Sequence, residues 1–136
     1  MWLPLKAEYD YGQIRAFAEI VARVVAAQMP DLVILEQLTE RRDSGKVYVD
    51  YSQNAMGRPL ATLYSVRPFP QATVSAPVSL REVRRGLKPE RFTIKTMPAR
   101  IAKVGDLWAG FWKSCQAIKP TIEKLRVEVR DRKIQL

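Results

Sequence analysis

Asp50 ends the alternating run Lys46-Val-Tyr-Val-Asp50, and a carboxylate at the end of a strand is held firmly enough to ligate a hard divalent cation. Gln53 follows three residues later with an amide donor, and Arg67 ends a second alternating run with a guanidinium fork. Such groups suit a nucleoside triphosphate and its metal. A cap for the next turn is the plain structural alternative for Asp50. Phosphoryl transfer with two metals needs several carboxylates to hold ions about 4 Å apart, yet no Asp-x-Asp pair occurs in this sequence. His is absent and Cys115 is the single cysteine. Ser-His, Cys-His and His-metal arrangements, an internal disulfide and a zinc finger are therefore excluded within this chain.

These groups need elements to hold them. Asp10 and Gln13 make a capping box, and Ile14, Phe17, Ala18, Val21, Val24 and Val25 recur at helical spacing, which predicts a helix from Tyr11 to Gln28 that Pro30 stops. Residues 36–38 read as a short helix, Asp43-Ser44-Gly45 as a turn, and residues 46–51 as a strand with Lys46, Tyr48 and Asp50 on one face. The loop after Ser52 would let residues 61–67 return antiparallel, bringing Arg67 toward the Asp50 face. Ser79 reads as the cap of a short helix bearing Glu82, residues 91–96 as a third strand, and Pro98 as the start of a helical turn. Asp106 would cap a helix with Leu107, Phe111, Cys115 and Ile118 in one stripe, interrupted at Pro120. Beyond it, Ile122, Leu125 and Val129 fit a helix, while Leu125, Val127 and Val129 fit a strand. The expected fold is α/β, equally describable as α+β: a mostly antiparallel sheet with packed helices, residues 1–118 forming a domain and 119–136 a tail.

With 136 residues, 47% apolar and 27% charged, one globular core is the expectation. The net charge is +9, which points to a polyanionic partner. Residues 80–103 hold eight basic and two acidic side chains, two-thirds of the excess. Arg81, Arg84, Arg85, Lys88, Arg91 and Lys95 are the candidate DNA-binding residues, contacting phosphates with weak sequence preference. A solvated basic face without a ligand is the alternative. No apolar run reaches the roughly 20 residues of a membrane span, and the opening residues lack a signal-peptide pattern, so the expectation is a soluble, cytoplasmic protein without membrane contact.

Several runs together resemble a known family. Gly45-Lys-Val-Tyr-Val-Asp50-Tyr-Ser-Gln-Asn54, Tyr64-Ser-Val-Arg67-Pro, Val74-Ser-Ala-Pro77, Phe92-Thr-Ile-Lys95 and Gly105-Asp-Leu-Trp-Ala-Gly-Phe-Trp112 are similar, in order and spacing, to the polymerase domain of bacterial DNA ligase D, in the archaeo-eukaryotic primase superfamily. With Trp2-Leu-Pro-Leu5 and the start of the first helix, the resemblance covers about residues 1 to 112.

The resemblance implies addition of nucleotides, preferentially ribonucleotides, at broken DNA ends during nonhomologous end joining, using manganese or magnesium and a nucleoside triphosphate. It assigns Asp50 as catalytic and metal-binding, the third of three metal aspartates. It places Gln53 and Arg67 at the triphosphate, and Arg42 beside them with a one-residue shift in spacing. The family's Asp-x-Asp and Ser-Gly…His motifs precede the segment that matches Trp2-Leu-Pro-Leu5, so the chain resembles a C-terminal half and catalysis by it alone is not expected. A complementing N-terminal half or a homodimer is the expected partner, with DNA, ligase and Ku end-joining proteins. The alternative function is a noncatalytic basic DNA-binding or assembly module.

Overall fold

Asp10 and Gln13 close the expected capping box, Asp10 Oδ1 accepting from the Gln13 amide at 2.8 Å and Gln13 Oε1 accepting from the Asp10 amide at 3.0 Å. Helix α1 runs Tyr11–Gln28 and buries Phe17, Ala22 and Val24. Glu19 and Arg23 pair at 2.7 Å one turn apart on its outer side, an arrangement worth a few tenths of a kcal/mol, about 0.3–0.5. These are features of a computed structural model that describes residues 2–84 and 86–134. The chain divides into two compact units, Met1–Pro59 with Cys115–Leu136, and Leu60–Ser114.

In the first unit, β1 (Val33–Ile34) pairs in parallel with β2 (Val47–Tyr48), Val33 opposite Val47 and Ile34 opposite Tyr48. Parallel neighbours require a crossover of about a dozen residues, and residues 35–46 supply it through a 3₁₀ turn at Thr39–Arg41. The hairpin expected between residues 46–51 and 61–67 is therefore absent, because β2 spends its backbone groups on β1: the Val47 amide donates to Leu32 and the Val49 amide to Ile34.

Residues 119–136 resolve in favour of a helix over Lys119–Asp131, α2. Ile122, Leu125 and Val129 are half-buried while Val127 is 48% exposed, the helical pattern and not the alternating one. Pro120 starts this helix and does not interrupt it, since a first-turn amide has no acceptor within the helix and its loss costs nothing. Leu5 bridges Gln116, Tyr9 Oη accepts from the buried Ile118 amide at 3.0 Å, and α2 packs on α1.

The second unit is where antiparallel pairing occurs. Residues 64–67 run against 73–75, and those against 92–94, through the bridges Val66 to Val74 and Thr73 to Thr93. The α/β class holds, and among the described residues the two-stranded sheet is the parallel pair. Helix α3 spans Met97–Val104 with Pro98 in its first turn, and Gly105 ends it at φ 75°. The helix expected after Asp106 is replaced by turns and a 3₁₀ segment, Phe111–Ser114. Gly110 lowers helix propensity there, and tight turns eclipse side chains three apart, which lets Trp108 stack on Phe111 with ring centroids 3.5 Å apart. Ser79 likewise opens a turn, not a helix: its amide and hydroxyl both donate to Glu82 Oε2.

Candidate functional site

β2 delivers Asp50 to the start of a 3₁₀ turn, Tyr51–Gln53, which packs against α1. There Asp50 Oδ1 accepts from the Ser52 amide at 3.1 Å and the Ser52 hydroxyl at 2.6 Å, and Oδ2 accepts from Gln53 Nε2 at 3.1 Å. Burial alone would raise its pKa, but hydrogen bonds from Ser52, Gln53 and Tyr48 outweigh burial and hold the carboxyl below its ordinary value. Asp50 is therefore a carboxylate at neutral pH, half-buried and locked in one rotamer by its own turn.

Tyr48 shares the Asp50 face, two residues back on the strand. Burial first, then the Asp50 charge, pushes its phenol up. Arg42 lies over the Tyr48 ring, its guanidinium carbon 3.5 Å from the centroid. Its Nε donates to the Glu36 carbonyl at 2.9 Å and an Nη to the Gln37 carbonyl at 2.7 Å. Both acceptors are neutral, so the cation is positioned without being neutralised. Asp50, Gln53 and Arg42 thus occupy the first unit, linked through Tyr48, a residue whose role the sequence did not announce although its alternation with Asp50 could have.

Arg67 belongs to the second unit, where its amide donates to the Thr73 carbonyl at 2.7 Å and its side chain is exposed. The hairpin that would have put it on the Asp50 sheet does not form, because its strand partner is the 73–75 segment.

A two-cation site does not fit the described residues. No three Asp, Glu, Cys or His side chains among them converge on one point, and both oxygens of the one candidate carboxylate already accept hydrogen bonds.

Of the basic residues, Arg81, Arg84, Lys88, Arg91 and Lys95 are exposed, and Arg85 lies outside the described residues. Arg81, Arg84 and Arg91 line a concavity of about 400 Å³ within the second unit, joined by Arg100 and Lys103 from α3. Lys88 and Lys95 are not among its lining residues. Arg100 and Lys103 were missed as site residues, though their i, i+3 spacing after Pro98 was the available signal.

A family model described as the LigD primase-polymerase domain matches residues 1–108. The chain belongs to the LigD primase-polymerase domain family. This LigD-family chain is 34% identical over 117 residues to the bifunctional non-homologous end joining protein LigD of Bacillus subtilis. It is 25% identical over 124 residues to the multifunctional non-homologous end joining protein LigD of Pseudomonas aeruginosa. The matches take in 85% and 90% of this chain but only 19% and 15% of those relatives. Among solved structures, it is similar to the polymerase domain of Mycobacterium tuberculosis ligase D in complex with DNA, with a TM-score of 0.73 and 29% identity over 83% of this chain and 39% of that one. The LigD-family fold is thus carried by both sequence and structure.

Proposed function

We propose that this chain contributes the nucleotide-binding side of a DNA repair polymerase site, working at broken DNA ends in non-homologous end joining. Asp50 is the metal-ligating carboxylate of that site, Gln53 and Arg67 engage the triphosphate, and Arg42 adds a positioned cation. One observation carries the reading: Asp50 stands two residues past β2, at the start of the 51–53 turn, as a carboxylate kept ionised by Ser52 and Gln53, in a chain of the LigD primase-polymerase family. Manganese or magnesium needs further carboxylates beside Asp50, beyond those the described residues bring together. DNA as partner is supported by the solved ligase D polymerase domain, which is a complex with DNA. Ligase and Ku end-joining proteins, and the nucleoid as place of work, follow from the same reading.

Surface area supports a further protein surface packed against this one. The chain exposes 10658 Å², whereas two separate compact bodies of these sizes would expose about 8,700 Å². In the first unit Val47 and Met56 are 66% and 80% exposed, apolar side chains that a partner would cover. The partner is a polypeptide carrying Asp-x-Asp and Ser-Gly…His motifs, or a second copy.

The test is primer extension with manganese and ribonucleotides, by the chain alone and mixed with such a polypeptide. Alone it binds triphosphate weakly and extends nothing; the mixture extends, and Asp50→Asn in the mixture does not. An Asp50→Asn mixture as active as the unaltered one would remove Asp50 from the chemistry. The noncatalytic module is favoured by one specific observation, that both Asp50 oxygens serve the 51–53 turn; under it DNA binds while triphosphate and the complementing polypeptide do not.

A further inference from the structure

In the second unit, ten Lys and Arg stand against three Asp and Glu, so residues 60–114 carry +7 of the chain's +9. Part of that charge is gathered in the concavity between the turn after Ser79 and helix α3. Its one carboxylate, Glu82, is already neutralised: Arg100 donates to Glu82 Oε1 at 2.6 Å and to Oε2 at 3.0 Å, and also to the Pro77 carbonyl at 3.1 Å. The same guanidinium lies 5.0 Å from the centre of the Phe92 ring, which also lines the concavity. Arg100 is therefore a fixed wall. Arg81, Arg84, Arg91 and Lys103 remain, exposed and with no ion pair among the described residues.

Four unpaired cations around one hollow repel each other, and an anion relieves that repulsion. We infer that this concavity is a phosphate site that takes the backbone of a nucleic-acid strand. Three of the four cations are Arg, whose planar fork pairs two N–H groups with two phosphate oxygens. A single phosphate group carries at most about two negative charges, so four cations match consecutive phosphates of a strand better than one free ion. The lining side chains left to bind are cations suited to phosphates, so binding here carries weak sequence preference. The site rests on the nucleic-acid reading above but is independent of Asp50 and of nucleotide chemistry. It also divides the basic residues: Lys88 and Lys95 are equally charged and exposed, yet outside it.

The experiment is fluorescence anisotropy of the full chain with single-stranded and duplex oligonucleotides across a salt series, alongside calorimetric titration with inorganic phosphate. Each phosphate contact removed from a duplex complex should cut the affinity lost between about 50 and about 200 mM salt by about 3.5-fold. Arg84→Ala, Arg91→Ala and Lys103→Ala should each do so, and Lys88→Ala and Lys95→Ala should not. All five positions are exposed, and circular dichroism checks that the fold is intact. DNA binding that responds to Lys88→Ala and Lys95→Ala but not to the other three overturns the concavity and leaves DNA binding standing. Inorganic phosphate bound and lost in the three variants, with no oligonucleotide bound, keeps an anion site but overturns the strand as its ligand. No binding of either anion overturns the inference outright.

Discussion

Gln53 donates its side-chain amide to Asp50 Oδ2 at 3.1 Å while Ser52 holds Oδ1, so the candidate ligand and the candidate triphosphate contact are one hydrogen-bonded unit. Cap and ligand roles can be separated by substitution. Asp50→Ala should cost about 1 kcal/mol in chemical denaturation, the usual loss for a missing cap. Asp50→Asn keeps an acceptor for Ser52 and should cost less. A large functional loss in Asp50→Asn with little change in stability assigns the charge to function; equal and small losses assign it to the turn.

The Glu82–Arg100 pair gives a pH signature. Hydrogen bonds from Arg100, then from the Ser79 amide, pull Glu82 from 4.5 down to about 2. A depressed folded-state pKa means stability that is present above pH 4.5 and lost as pH falls through about 2. In acid unfolding followed by tryptophan fluorescence, Glu82→Gln should reduce the slope in that window. An undiminished slope in Glu82→Gln assigns it to other carboxyls.

Tyr64 should be the last tyrosine to ionise. Burial and then the hydrogen bond to Asp106 at 2.5 Å push its phenol up to about 12. The raised value contributes stability below pH 10.0 that is lost as pH rises through about 12. Ultraviolet titration should lose its highest step in Tyr64→Phe. Because burial, the largest single cause, stays in place, Asp106→Asn should lower that step only part of the way toward 10.0. An unchanged highest step in Asp106→Asn would deny the contact.

Two glycines near one another should respond oppositely to alanine. Gly105 ends α3 at φ 75° and ψ −174°, a positive-φ extended region essentially restricted to glycine that costs an L-residue about 1–3 kcal/mol. Gly110 has no positive φ and open space where a Cβ would go. Denaturation midpoints should fall in Gly105→Ala and hold or rise slightly in Gly110→Ala.

Local chemistry determined what the sequence alone could determine. The capping box of Asp10 and Gln13, the apolar spacing after it and the stop at Pro30 specify α1 because every partner lies within one or two turns. The motif order that marks the LigD family is likewise a property of the linear chain. Alternation in residues 46–50 put Tyr48 with Asp50 on one face, but a period of two names a face and not a partner. Only the tertiary structure decided that β2 pairs with Val33–Ile34 and that residues 64–67 pair with 73–75, which puts Asp50 and Arg67 in different units. It also decided the helix after Pro120, where burial of Ile122, Leu125 and Val129 chose between two patterns the same residues satisfied. The Glu82–Arg100 pair joins residues eighteen apart, a distance over which no local spacing rule acts. Short-range forces are written in neighbouring residues; pairing partners and concavities depend on which distant surfaces meet.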